Sequence, residues 1–169
     1  RLTDQQIDFY NTFGFLKFPG LFKDEASDII NAFEQVWAQH GGGHNQESHD
    51  GKYRSAMLQF IDRNEYLSAL IDDSRINEVS KSILGDDYNY MASDGNYYVG
   101  DSPWHSDGYS EKKYRSFKIA FYLDRVTRDT GCLRVIPGSH RYGEGYADVI
   151  ESLIHENRSP GPEVSLGLT

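Results

Sequence analysis

The chain has 169 residues and a mass of 19.3 kDa, room for one domain with a sizeable core. Its 26 acidic residues against 17 basic ones leave a formal charge of −9, which argues against a nucleic-acid backbone or an anionic membrane surface as the main partner. Aromatic residues at 14% exclude a disordered chain, and the single cysteine, Cys132, excludes a disulfide framework or a Cys-rich zinc site.

The first third reads as helical. Thr3 and Gln6 form a capping-box pattern, and Ile7, Tyr10 and Phe13 then mark a short helix ending at Gly14. Residues 15–18 predict a short strand before the Pro19-Gly20 turn. From Asp24, the spacing of Ala26, Ile29, Ile30, Phe33, Val36 and Trp37 predicts an amphipathic helix that stops at Gly41-Gly42-Gly43. Residues 40–55 then read as a polar loop carrying His40, His44 and His49, with the role of a lid rather than of a metal site, because no carboxylate or cysteine pattern fixes a coordination geometry. Two more helices follow, one through Tyr66, Leu67, Leu70 and Ile71, the other through Ile76, Val79, Ile83 and Leu84 to Gly85.

Beyond Gly85 the texture changes. Residues 88–91, 96–99, 117–123 and 132–136 are short β-branched and aromatic runs separated by turn signals such as Asp94-Gly95 and Asp129-Thr130-Gly131. Residues 146–157 return to helical spacing, and Glu163-Val164-Ser165 opens another strand. Helices first and antiparallel strands second predict a single α+β domain over 1–169, with a helical part to about residue 85 and a sandwich or barrel from about 86. The strands are fewer than a jelly roll needs, so the sheet reads as unfinished and the chain as continuing past both ends.

The chemistry concentrates in Pro103-Trp104-His105-Ser106-Asp107. On extended chain, residues i and i+2 share a face, so the His105 imidazole and the Asp107 carboxylate converge. Such a pair supplies two adjacent corners of an octahedral metal site, as in the His-x-Asp part of a facial triad. By spacing alone a turn in which the two side chains share a hydrogen bond is the favoured reading, and context must decide.

That segment, with the run Phe117-Lys118-Ile119-Ala120-Phe121-Tyr122-Leu123-Asp124 and Gly131-Cys132-Leu133-Arg134-Val135-Ile136-Pro137-Gly138-Ser139-His140 after it, resembles the phytanoyl-CoA dioxygenase family. The opening Leu2-Thr3-Asp4-Gln5-Gln6, Gly14-Phe15-Leu16 and Pro19-Gly20-Leu21-Phe22 is similar as well. The resemblance implies a double-stranded β-helix (jelly-roll, cupin-like) core and an Fe(II)- and 2-oxoglutarate-dependent dioxygenase. It also implies hydroxylation of a small molecule, with O₂ consumed and succinate and CO₂ released. The acidic balance, the single cysteine and the lack of a membrane-length apolar run or signal-peptide pattern, for their part, predict a cytoplasmic protein that binds neither nucleic acid nor membrane. His105 and Asp107 match the first two iron ligands, and the carboxylate at 107 favours hydroxylation over halogenation. Asn96 is a weak candidate for touching the cosubstrate, against a plain strand or turn asparagine.

The family's distal histidine ligand and its 2-oxoglutarate arginine come well after the Pro-Gly-Ser-His segment. They are expected beyond Thr169. His140 fits better as a turn histidine bonded to the backbone, His155 as a helix residue, Arg134 and Arg141 as rim charges, and Cys132 as buried packing. Tyr97, Tyr98, Trp104 and Tyr109 suit either a pocket lining or an aromatic core. The rival function is a non-catalytic small-molecule-binding protein on the same scaffold.

Overall fold

The structure, a computed structural model, describes residues 1–40, 49–107, 115–141, 143–156 and 164–166. Among them are the helices α1 (Asp4–Phe13), α2 (Ala26–Gln39), α3 (Glu65–Ala69), α4 (Ser74–Leu84) and α5 (Gly145–His155), and the short strands β1 (Ser55–Leu58), β2 (Asp94–Tyr97), β3 (Arg134–Val135) and β4 (Val164–Ser165). By contact the chain gathers into two units, one of Gly20–Asp101 with Arg1, the other of Leu2–Pro19 with Ser102–Thr169. It is an α+β protein, as its sequence predicts.

In the first unit α2 buries Ile29, Ala32, Val36 and Trp37, the face set by its apolar spacing. Phe60 is 2% exposed, with the Phe33 ring at 4.8 Å and the Trp37 ring at 6.0 Å. Tyr97 closes the cluster at 5.0 Å from Trp37, and its hydroxyl donates to Glu34 Oε2 at 2.6 Å. Strands β1 and β2 pair antiparallel, Ser55 opposite Tyr97 and Met57 opposite Gly95. Asn64 caps α3 by accepting from the Leu67 amide at 3.1 Å.

Arg75, in the first turn of α4, ties three segments together. It donates to Asp73 Oδ2 at 2.7 Å, to Glu25 Oε1 at 2.8 Å and to the Leu21 carbonyl at 2.8 Å, and its guanidinium lies 3.8 Å over the Phe22 ring. These hydrogen bonds are the main reason the Asp73 and Glu25 carboxyls sit below the ordinary carboxylate range. Groups so depressed add stability above that range and lose it as pH falls through it. We therefore expect Arg75→Gln to lower the urea midpoint at pH 7, with the gap to wild type closing as the pH approaches 3. A gap that stays constant over that interval would show that the carboxylates are not the partners that matter.

In the second unit α1 starts as its sequence predicts: the Thr3 side chain accepts from the Gln6 amide at 3.3 Å, while the Gln6 side chain accepts from the Thr3 amide at 2.9 Å. It ends at Gly14, left-handed at φ 84°. The Pro137-Gly138-Ser139-His140 turn is fastened there. The Gly138 amide donates to the Phe13 carbonyl at 3.0 Å and the His140 ring to the Asn11 carbonyl at 3.2 Å. A Cβ on Gly14 would collide with the imidazole. Burial is the main cause that holds the His140 pKa below the ordinary imidazole value. Cys132, Ile136, Ala147 and Ile150 are buried here, and β3 pairs antiparallel with β4, extended by the Leu166 amide donating to the Leu133 carbonyl at 2.7 Å.

The strands depart most from the sequence reading. Residues 15–18, 88–91 and 117–123 lie in no ladder among the described residues, β2 begins two residues before the expected run, and β3 keeps only Arg134 and Val135. A strand exists only where a second backbone takes its hydrogen bonds, and aromatic or β-branched composition does not supply that partner. Phe15 instead sets its ring edge-on to Phe9 at 5.3 Å. β1 starts at Ser55, the last residue of the expected polar loop, and continues through residues 56–58, where no element is predicted. His44 lies outside the described residues, while His40 and His49 bond the carbonyls of Val36 and Tyr53. The described sheets are two two-stranded pairs, without a jelly-roll ladder among them.

Candidate metal centre

His105 and Asp107 lie on non-ladder chain in the second unit. The two-residue alternation still brings their side chains together, with His105 Nε2 3.5 Å from Asp107 Oδ1. That is too long for a hydrogen bond between them. The ring's hydrogen bond goes elsewhere, from Nδ1 to the Pro103 carbonyl at 2.7 Å. A carbonyl only accepts, so Nδ1 carries a proton and Nε2 is the ring nitrogen turned toward the carboxylate.

An imidazole nitrogen and a carboxylate oxygen at this separation are spaced as two donors to one cation would be. Metal–nitrogen and metal–oxygen bonds of about 2.1 Å span 3.5 Å at an angle of roughly 110°, so the pair fits two neighbouring ligand positions with little movement. The donor set, one imidazole and one carboxylate, suits a divalent first-row metal such as Fe(II). Both side chains are more than half exposed, and ions in solvent reach them freely. Among the described residues, no third His, Cys, Asp or Glu joins the pair.

Two neighbours hold this stretch. Arg134, on β3, sets its guanidinium 5.1 Å over the half-buried Trp104 ring, one residue before His105. Lys118 Nζ lies 3.2 Å from Asp107 Oδ2. Lys118 was not visible as a site residue, because an ion pair across eleven residues of sequence leaves no periodic mark. Arg134 was expected as a rim charge, and its ring contact gives it a further, positioning role.

The remaining candidates have contacts of their own. Asn96 belongs to the first unit, where its carbonyl oxygen accepts from Arg54 Nη2 at 2.7 Å and Nε at 3.1 Å and its amide nitrogen donates to Asp94. Both ends of the amide are therefore engaged. Tyr97 is a core residue, Tyr98 is 59% exposed, and Tyr109 lies outside the described residues. His140 is the backbone-bonded turn histidine that its setting implied, His155 sits exposed at the end of α5 with Glu151 4.0 Å away, and Cys132 is buried.

The described residues thus give an α+β chain in which an imidazole and a carboxylate converge two residues apart. The family model for phytanoyl-CoA dioxygenase (PhyH) matches residues 10–163. The chain belongs to the phytanoyl-CoA dioxygenase family, which is generally one of iron- and 2-oxoglutarate-dependent oxygenases. Neither curated proteins nor solved structures gave a match. No helix among the described residues is long and apolar enough to cross a membrane.

Proposed function

We propose that this protein is an Fe(II)/2-oxoglutarate-dependent dioxygenase that hydroxylates a small-molecule substrate. The observation that carries the reading is the His105–Asp107 pair, held 3.5 Å apart with Nε2 of the imidazole turned toward the carboxylate, within a chain of this family. His105 and Asp107 would hold the iron, and the third ligand and the cosubstrate's arginine are to be sought outside the described residues. Bound there, iron and 2-oxoglutarate supply the O₂-dependent oxidation that yields succinate, CO₂ and a hydroxylated product.

The chain's own residues do the positioning. Pro103 fixes the tautomer and plane of His105 through its carbonyl. Trp104, gripped by Arg134, anchors the segment that carries both ligands. Asp107 keeps a carboxylate where a halogenating relative would need an empty place for halide, which favours hydroxylation.

The family match spans segments of both units, and on that ground we read 1–169 as parts of one oxygenase domain with a jelly-roll core. The antiparallel pairing of β4 with β3, the strand just before the Pro-Gly-Ser-His turn, supports that reading. A cytoplasmic setting suits the single buried cysteine.

The test is an anaerobic titration of the full-length protein with Fe(II) and 2-oxoglutarate, followed by the visible charge-transfer band of the chelate. We expect a band that saturates at one iron per chain and bleaches when O₂ is admitted, with succinate formed. A folded full-length protein that gives no band and no succinate would reject the oxygenase and leave a small-molecule-binding protein on the same scaffold.

A further inference from the structure

We propose that Lys118 is a positioning residue that ties up one oxygen of Asp107, leaving the carboxylate a single oxygen with which to hold a metal. This rests on the metal reading of His105 and Asp107 given above. The carboxylate is divided between two partners: Oδ1 faces His105 Nε2 at 3.5 Å, and Oδ2 faces Lys118 Nζ at 3.2 Å.

The division matters because coordination positions are few. An octahedral cation has six. Two imidazoles and one carboxylate oxygen fill three, which leaves room for a cosubstrate that chelates through two atoms and for O₂. A carboxylate that swings round to bind through both oxygens fills a fourth position, and the cosubstrate and O₂ then compete for two. The Lys118 ammonium opposes that swing, because Oδ2 would have to leave a charge-assisted contact to make it. The ammonium repels an incoming cation as well, so it cannot follow Oδ2 toward the metal.

The same charge weakens the metal's hold on the site. Loss of Lys118 therefore has two effects of opposite sign: the metal binds more tightly and the cosubstrate binds less well. A lysine that merely pinned its own segment to residue 107 would behave differently. Its removal would loosen Asp107 and weaken both. Both side chains are 58% exposed, so solvent moderates the electrostatic part.

The experiment uses the full-length protein with Co(II), whose visible spectrum reports coordination and whose binding heat reports affinity, without turnover. For Lys118→Met we expect Co(II) to bind about threefold to fivefold more tightly than in wild type. We also expect its spectrum to change and the Co(II)-loaded form to bind 2-oxoglutarate about tenfold more weakly. Lys118→Arg, which keeps a cation at that oxygen, should restore all three. If Lys118→Met weakens both affinities, or moves neither affinity nor the spectrum, while wild-type Co(II) binding still requires His105 and Asp107, the inference fails and the metal reading stands. A wild-type protein that takes no Co(II) overturns the metal reading and the inference with it.

Discussion

Gly95→Ala is expected to cost about 3 kcal/mol or more, a large share of the stability of a domain this size. Gly95 is buried in β2 opposite Met57, and a Cβ built on it would land on the ring of Phe60. That ring cannot step aside, being 2% exposed and packed against Phe33 at 4.8 Å and Trp37 at 6.0 Å. Relief requires the strand to lift from the helix or Phe60 to leave its rotamer, and both open the aromatic core. Urea denaturation measures the loss, and adding Phe60→Leu should recover part of it by removing the ring edge that the methyl strikes. Gly145→Ala makes the contrast: nothing lies within 4 Å of its Cβ position at the start of α5, so it should be neutral or stabilising by about 0.5–1 kcal/mol. If Gly95→Ala unfolds at the wild-type midpoint, the close approach of β2 to Phe60 is wrong.

On the proposed function, Asp107→Ala and His105→Ala are expected to lower turnover and Fe(II) affinity by at least about a hundredfold, since each would remove a proposed metal ligand outright. Their effect on stability should be slight, within about 0.5 kcal/mol. The side chains are 58% and 59% exposed, and neither fills the core. This combination separates a ligand from a packing residue. Loss of the chelate's visible band with an unchanged thermal midpoint supports the assignment. Variants that still bind iron as wild type does would remove these residues from the site, whatever became of the oxygenase reading. Asp107→Glu should fall between, because it keeps a carboxylate but places it one methylene further along.

The helices were legible because their signals are local. A capping box, an apolar stripe and a terminal glycine all lie within a few turns of one another, and α1, α2, α4 and α5 formed close to where those marks put them. The strands were not, because ladder formation depends on a partner elsewhere in the chain. Ser55-Ala56-Met57-Leu58 carries little β propensity, yet it pairs with β2, whereas the more strand-like residues 117–123 are in no ladder among the described residues. The same distinction runs through the candidate centre. His105 and Asp107 were readable from a two-residue period that holds on extended chain with or without a sheet. Lys118, Arg134 on Trp104 and Arg54 on Asn96 meet their partners through space, so no spacing announced them.

The turn fastened to the end of α1 bears on how the polypeptide is made. His140 and its acceptor Asn11 are 129 residues apart in sequence, so α1 docks on the turn only after the long stretch between them has been synthesised. Until then α1 is a ten-residue helix with no fully buried side chain, too short to persist alone in water. Closing so long a loop is a slow step, whereas the Gly20–Asp101 unit is continuous apart from Arg1 and can form during translation. Deletion of α1 would therefore show itself as slow or incomplete maturation of the unit that carries His105 and Asp107.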